Sequence, residues 1–227
     1  MRTALLSALL SALVCALLTG CGGDESASTT PTTTQATTTA PPAGGCTEVE
    51  APEPRGDGGE KAPSGNLDPA KRHEVEIVTN CGSFTIELDV ETSPNTTASF
   101  AALARSGFYA NTVFHRIVPG FVIQGGDPTA SGRGGPGYST VDTPPRTARY
   151  TKGVVAMAKT ATEPPGTAGS QFFVVTGAEI GLPPEYGILG KVTKGLDVVE
   201  RIGRLGDRAT EAPLEVVRIE RATVTER

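Results

Sequence analysis

Apolar and polar positions alternate along the chain from His73 onward, and this alternation predicts a β-hairpin. Val75 and Ile77 are separated by polar residues, a turn follows at residues 80–83, and a second alternating run comes next. A period of two places every second side chain on one face of a strand, where it packs against a core. The second run continues this face through Phe84, Ile86, Leu88 and Val90.

A helix is predicted after this hairpin. Ser93, Pro94 and Asn95 are residues typical of a helix start, and Gly107 is typical of a helix end. Between them, apolar residues recur at the spacing that forms one helical stripe. The stripe consists of Ala98, Phe100, Ala101, Leu103 and Ala104. A second, shorter helix is predicted near residues 196–202.

The remaining apolar runs are short and typical of strands. Many strands with only two helices predict a mainly β fold, in which closure into an antiparallel barrel would remove exposed strand edges. We therefore expect a closed barrel. The runs lie at 113–118, 121–124, 154–158, 172–176, 187–192 and 214–224.

The chain begins with a pattern typical of an export signal. A short positive start precedes an apolar run at residues 4–18, which is too short for a stable membrane-spanning helix. The run ends in Leu-Thr-Gly-Cys, which resembles a bacterial lipoprotein signal. Residues 1–20 are therefore predicted to be a lipoprotein signal peptide, with Cys21 lipidated and the protein anchored to the membrane outside the cytoplasm. The alternatives, an ordinary secretory peptide or an uncleaved anchor, also imply an extracytoplasmic location.

Residues 21–72 are predicted to be a lipidated N-terminus followed by a disordered linker. The tract at 29–42 consists of Thr, Pro, Ala and Gln. Such a tract buries too little apolar surface to offset the entropy lost on ordering. A coil of the linker's length has a reach of ~40 Å. Residues 73–227 then form the one predicted domain.

Two of the four cysteines remain for the mature domain. Cys15 lies in the predicted signal peptide and Cys21 at its end, which leaves Cys46 and Cys81. In an exported protein these two are predicted to form a disulfide. Two free thiols or a metal pair are the alternatives. A metal site is disfavoured because the chain has only two histidines and no ligand set at zinc spacing.

The charge pattern argues against nucleic acid as a partner. The net charge is −5 and the isoelectric point is about 5.2, whereas phosphate binding needs clustered Lys and Arg. The glycine-rich run at 132–137 lacks the strand-then-helix context and the Lys-Ser/Thr pair of a phosphate loop, so we expect a flexible loop. No metal or other cofactor is predicted.

Four blocks of sequence, in this order, resemble the cyclophilins, which are peptidyl-prolyl cis-trans isomerases. The blocks are FHRIVPGFVIQGGDPTASGRGGPGY at 114–138, MAKT at 157–160, SQFFVVTG at 170–177 and GILGKV at 187–192. The resemblance covers the chain from about His73 to the C-terminus. It implies an eight-stranded antiparallel β-barrel capped by two α-helices, with a groove on its outside that binds proline-containing peptides.

The resemblance also implies roles for individual residues. Arg116 is expected to be the catalytic guanidinium, beside a proline pocket formed by Phe121, Val122, Phe173 and Leu182. The twisted transition state of an X-Pro bond has a basic nitrogen lone pair, which a fixed donor stabilises more than either ground state. The other expected substrate-binding residues are His115, Gln124, Gly132, Ala158, Lys159, Thr160, Gln171 and Tyr186.

The sequence departs from the commonest family pattern near the groove. Gly181 stands where many members have Trp, Tyr186 where His is frequent, and Lys159 where Asn is usual. The loop at 160–170 is about three residues longer than in common members. Gly181 and Tyr186 imply weak binding of the drug cyclosporin, whereas Lys159 and the longer loop bear on substrate preference.

Two further functions compete with the isomerase. A non-catalytic peptide-binding chaperone would keep the groove, but it would not need Arg116 together with Phe121, Gln124 and Phe173. A structural envelope lipoprotein would explain Cys21 and the linker and leave the pocket residues unexplained. We therefore expect a monomeric isomerase that acts on proline-containing segments of unfolded exported proteins.

Overall fold

The computed structural model describes residues 45–227, in which the chain forms eleven strands and two helices. The predicted signal peptide and the predicted lipid site at Cys21 lie outside the described residues. The helices are α1 (Pro94–Arg105) and α2 (Leu196–Ile202). The strands are β1 (His73–Thr79), β2 (Gly82–Leu88), β3 (Thr112–Val113), β4 (Arg116–Val118), β5 (Val122–Gly125), β6 (Thr140–Val141), β7 (Val154–Met157), β8 (Thr167–Ala168), β9 (Phe172–Val175), β10 (Ile188–Lys194) and β11 (Arg218–Glu226).

Nine of these strands form one antiparallel sheet that closes on itself. Their order is β3-β11-β1-β2-β10-β7-β9-β5-β4. The first and last members, β3 and β4, follow each other along the chain and are separated only by Phe114 and His115. Residues 112–118 therefore act as one bent strand, which pairs with β11 in its first half and with β5 in its second. Counted in this way, the closed eight-stranded barrel predicted from the sequence is confirmed.

The barrel encloses an aromatic core. Phe172 on β9 is fully buried and meets Phe100, Tyr109 and Phe114 edge-on, with ring centroids 5.3, 5.8 and 5.8 Å away. Phe100 comes from the buried stripe of α1, as the apolar spacing predicted. The first amides of a helix have no hydrogen-bond partner within the helix. In α1 one of them, the Thr96 amide, donates to the Asp142 carboxylate at 2.6 Å.

The structure differs from the sequence-based elements at short strands. The pair β6 and β8 was not predicted, because strands of two residues show no alternation. β11 begins at Arg218, not at residue 214. The predicted strand at 113–118 is interrupted at Phe114 and His115, because the chain bends there from β11 to β5.

The segment 46–60, here called the N-terminal strap, differs from the predicted disordered linker. It has no helix or strand, yet its backbone is hydrogen-bonded to the barrel's loops. The Thr47 amide donates to the Asn80 carbonyl at 2.8 Å, and the Arg55 amide donates to the Pro128 carbonyl at 2.8 Å. The Gly58 amide donates to the carbonyl of Gly135 at 3.0 Å. Packing against the domain thus begins well before residue 73.

A disulfide between Cys46 and Cys81 fastens the start of this strap to the turn between β1 and β2. The two residues are 35 positions apart, so the bond closes a loop worth about 3 to 4 kcal/mol of unfolding free energy in the chain-entropy model. Asn80 strengthens the same junction, since its side-chain amide donates to the carbonyls of Thr47 and Val216 at 2.8 and 2.9 Å. The strap is therefore held covalently and by hydrogen bonds.

Two absences apply to residues 45–227. No helix among them is long and apolar enough to cross a membrane. Within the same residues, no group of three or more His, Cys, Asp or Glu side chains is arranged to hold a metal ion.

Candidate active site

Arg116 begins a line of polar side chains on the outer surface of the barrel. It lies opposite Gln124 in the pairing of β4 with β5, and its Nη1 donates to the Gln124 Oε1 at 3.3 Å. Gln124 Nε2 donates to the Gln171 Oε1 at 3.1 Å, and Gln171 Nε2 donates to the Gly134 carbonyl at 2.9 Å. The neighbouring residues Ile117, Ile123 and Phe172 are fully buried. Strand alternation therefore turns the polar line away from the core.

Arg116 has a second partner that the sequence analysis missed. Its Nε donates to the Glu211 Oε2 at 2.6 Å. Glu211 lies in the loop between α2 and β11, 95 residues further along the chain. No local sequence pattern marks this glutamate, because its position depends on how the barrel brings the loop to β4.

The predicted proline-pocket residues come together in an apolar cluster separate from the main core. Val122 and Phe173 are buried, with Phe121, Leu182 and Tyr186 packed against them. The rings of Phe173 and Tyr186 meet edge-on, with centroids 5.6 Å apart. Phe173 follows Phe172 in β9, so the two rings lie on opposite faces of the strand. One faces the barrel interior and the other forms this outer cluster.

Tyr150, which was not predicted as a site residue, fixes one wall of this cluster. Its ring is buried among the cluster residues. Its hydroxyl donates to the Tyr186 carbonyl at 2.7 Å and accepts from the Tyr186 amide at 3.0 Å. Both backbone groups of Tyr186 are thereby satisfied, which holds the loop containing Leu182 and Tyr186 against the barrel.

A polar cavity of about 470 Å³ lies beside the apolar cluster. Ala158 belongs to both, since it packs against the cluster and lines the cavity. Asp57 of the N-terminal strap also lines the cavity. A larger depression of about 640 Å³ along β2 and β10 contains none of the predicted residues. The predicted residues in the polar cavity are Gln124, Gly132, Ala158, Lys159, Thr160 and Gln171.

The glycine-rich loop along this cavity is held in place, in contrast to the predicted flexible loop. The Asp127 carboxylate accepts hydrogen bonds from the amides of Thr129, Gly132 and Arg133 at 2.7, 2.6 and 3.1 Å. A Cβ at Gly134 would lie 2.3 Å from the Asp127 Oδ1, so glycine is required there by space. The loop therefore provides a firm wall whose Gly134 carbonyl anchors the line of polar side chains.

The side chain of Lys159 is more deeply buried than expected for a residue that lines an open groove. Only 3% of the side chain is exposed, and its ammonium lies 3.3 Å from the Glu185 carboxylate and 5.5 Å from the centre of the Tyr186 ring. It also donates to the carbonyls of Thr160 and Glu163 at 3.2 Å each. Lys159 thus joins the long loop after β7 to the loop that carries Tyr186.

His115 lies next to the glycine-rich loop and makes no side-chain hydrogen bond within the described part of the chain. If Gly132 carried a Cβ atom, that atom would lie 3.6 Å from Nε2 of His115, so the imidazole lies within van der Waals reach of the loop. Burial lowers the pKa of the imidazole below its ordinary value; the negative charge of Asp127 opposes this shift, and the positive charge of Arg116 adds to it. A neutral ring at pH 7 suits the predicted role as a groove wall.

The fold and the site together define a barrel protein whose outer surface combines an apolar cluster with a guanidinium held by two hydrogen-bond partners. The family model described as "Cyclophilin type peptidyl-prolyl cis-trans isomerase/CLD" matches residues 74–224. The chain belongs to the cyclophilin-type peptidyl-prolyl cis-trans isomerase family.

Relatives and solved structures agree with this assignment. Peptidyl-prolyl cis-trans isomerase CYP18-2 of Arabidopsis thaliana is 38% identical over 155 residues, which cover 66% of this chain and 93% of the relative. Peptidyl-prolyl cis-trans isomerase-like 1 of Aspergillus fumigatus is 40% identical over 157 residues, covering 67% and 96%. A Cryptosporidium parvum cyclophilin-type isomerase has a TM-score of 0.62 at 33% identity, covering 68% of this chain and 98% of that one. The same Cryptosporidium enzyme has also been crystallised in the presence of the dipeptide Ala-Pro, with a TM-score of 0.61.

Proposed function

We propose that this isomerase accelerates rotation about X-Pro bonds by donating a hydrogen bond from Arg116 to the prolyl nitrogen. The proposal rests on the hydrogen bonds that fix the guanidinium of Arg116. Its Nε and Nη1 are engaged by Glu211 and Gln124, whereas Nη2 has no acceptor within residues 45–227. A guanidinium fixed at two atoms presents its remaining donors in one direction.

The chemistry needs a donor and no nucleophile. Rotation about an X-Pro bond is slow because amide resonance opposes it, with a barrier of ~18 to 20 kcal/mol. As the bond twists, the prolyl nitrogen loses conjugation and its lone pair becomes a hydrogen-bond acceptor. A donor placed at that nitrogen binds the transition state more strongly than the planar amide, and this difference is what accelerates the reaction.

The apolar cluster supplies the other half of the mechanism. Phe121, Leu182 and Tyr186 are half-buried against the cluster that contains Phe173, and their exposed parts offer an apolar surface suited to the five-membered proline ring. Burying the ring holds the proline side of the rotating bond still, so that the carbonyl on the preceding residue turns. The same apolar walls exclude water that would stabilise the planar amide.

Arg116→Lys tests this mechanism. The ammonium keeps the positive charge, but its three donors radiate from a single nitrogen. It therefore lacks the planar fork that binds Glu211 and Gln124 through two nitrogens and leaves a third nitrogen for the substrate. We expect kcat for a short X-Pro peptide to fall by about 10-fold or more, with a smaller change in KM. Exchange spectroscopy of the peptide measures both constants. A lysine variant with the kcat of the parent would show that charge alone suffices and would contradict the proposal.

We further propose that the enzyme acts on exported proteins while anchored outside the cytoplasm through lipid on Cys21. The apolar run followed by Leu-Thr-Gly-Cys supports this proposal. The Cys46–Cys81 disulfide supports it too, because disulfides are rare in proteins of reducing compartments. The relatives named above are eukaryotic, and the family match begins at Glu74. The family match therefore begins downstream of the predicted signal peptide and of Cys21.

Cys21→Ser tests the anchor in cells, with Cys15→Ser as the matched control. The parent and the control are expected to incorporate labelled palmitate and to sediment with membranes, whereas Cys21→Ser should do neither. In a deletion strain, exported proteins rich in proline should mature more slowly. A parent that takes up no label, or that fractionates with the cytoplasm, would overturn this part of the proposal.

A further inference from the structure

Glu211 and Gln124 hold the guanidinium of Arg116 from two sides. The distances are 2.6 Å from Nε to the Glu211 Oε2 and 3.3 Å from Nη1 to the Gln124 Oε1. The side chains of Arg116 and Glu211 are 35% and 44% exposed, so water screens their attraction and the pair contributes little to stability. Its effect on geometry is larger, because two contacts on one planar group stop rotation about the end of a flexible stem.

Glu211 is itself fixed to the strand that carries Arg116. Its carbonyl accepts a hydrogen bond from the Ile117 amide at 2.9 Å, one residue along β4 from Arg116. Its own amide donates to the Asp207 carbonyl at 2.9 Å. The backbone at Glu211 has φ of 60°, a left-handed conformation that non-glycine residues seldom adopt. Local preference therefore does not explain this conformation, and the contacts on either side maintain it.

Hydrogen bonds and close packing also hold the rest of this loop. The Asp207 carboxylate accepts hydrogen bonds from the amides of Ala209 and Thr210 at 2.9 and 2.7 Å. The bond from Thr210 is the main reason that the pKa of Asp207 lies below its ordinary value. At Gly206 the loop touches β4 directly, since a Cβ there would lie 2.1 Å from the Ile117 carbonyl oxygen. The loop from Gly206 to Glu211 is thus packed against the catalytic strand.

We propose that Glu211 is a positioning residue for Arg116, acting from the loop between α2 and β11 to aim the free guanidinium nitrogen at the substrate. This inference rests on the proposed role of Arg116. It assigns no contact between Glu211 and the peptide. The acceptor oxygen matters more than the negative charge, because the function is to fix the direction of a donor.

The test compares Glu211→Ala and Glu211→Gln with the parent. A small misplacement of a catalytic group can cost up to about 100-fold in rate. We expect Glu211→Ala to lower kcat about 10-fold with KM changed less than about 2-fold, and Glu211→Gln, which keeps an acceptor, to stay within about 3-fold of the parent. Glu215→Ala is the matched control, since Glu215 is exposed in the same segment and has no hydrogen bond or ion pair within the described residues.

A double-mutant cycle separates positioning from a merely structural role. If Glu211 acts through Arg116, Glu211→Ala should cause no further loss in an Arg116→Ala background. An additive loss in that background, or a Glu211→Ala variant with the kcat of the parent, would overturn the inference while leaving the role of Arg116 intact. If Arg116→Ala is itself nearly as active as the parent, the proposed function fails and the inference fails with it.

Discussion

Replacing Arg116 with alanine is expected to lower kcat/KM for an X-Pro peptide by about 100-fold or more. This is the loss usually seen when one preorganised transition-state donor is removed, and it corresponds to about 2.7 kcal/mol of transition-state stabilisation. The side chain is 35% exposed and belongs to neither apolar cluster, so the fold should be unaffected. The measurement is the rate of cis-trans exchange, with binding of the same peptide measured in parallel.

Arg221→Ala is the control for this experiment. Arg221 is an exposed arginine on β11 with no side-chain hydrogen bond or ion pair within residues 45–227. Its replacement should leave the isomerisation rate and the melting temperature unchanged. An Arg116→Ala variant that is folded and loses less than about 10-fold would mean that the pocket alone provides most of the catalysis.

Phe172→Ala is expected to lower the free energy of unfolding by about 3 to 5 kcal/mol. The ring is fully buried and contacts aromatic side chains from α1 and from the bent strand, so its removal leaves a cavity at the junction of several elements. Denaturant unfolding, followed by a spectroscopic probe, measures the change. A loss below about 1 kcal/mol would show that the core collapses to fill the space.

Replacing Phe173, the next residue in β9, is expected to affect peptide binding and not mainly stability. Phe173 lies on the opposite face of β9, in the apolar cluster that forms the proposed proline pocket. Phe173→Ala is therefore expected to raise KM for the peptide, whereas Phe172→Ala should leave the KM of the folded fraction unchanged. If both variants raised KM equally, the separation between the inner and the outer ring would not hold.

The fold was predictable where a strand is long enough to show its period. β1 and β2 each have seven residues, and their buried positions follow the alternation that starts at Val75. The bend at Phe114 and His115 was not predictable, because it depends on a strand changing partners between β11 and β5. The two-residue strands β6 and β8 were missed for lack of any periodic signal.

The candidate site was predictable where its residues lie in continuous motifs. The residues expected around the proline pocket do meet, because Phe121, Val122 and Phe173 lie in paired strands or at their edges. Glu211 and Tyr150 were missed, since each acts from a distant segment that only the tertiary fold brings to the site. The contribution of Asp57 was missed for a different reason. Its segment is held by backbone hydrogen bonds, which leave no mark in the sequence.

The disulfide determines how the domain would bear a mechanical load. A pull on the residues before Cys46 passes through the sulfur atoms to Cys81, at the turn between β1 and β2. The covalent path then bypasses residues 47–80, so the pull does not act directly on the contacts of the strap with the loops at Pro128 and Gly135. After reduction, the same pull would peel those hydrogen bonds away one by one. With the disulfide intact, the pull enters the barrel at Cys81. After reduction, it acts first on the strap contacts beside the groove.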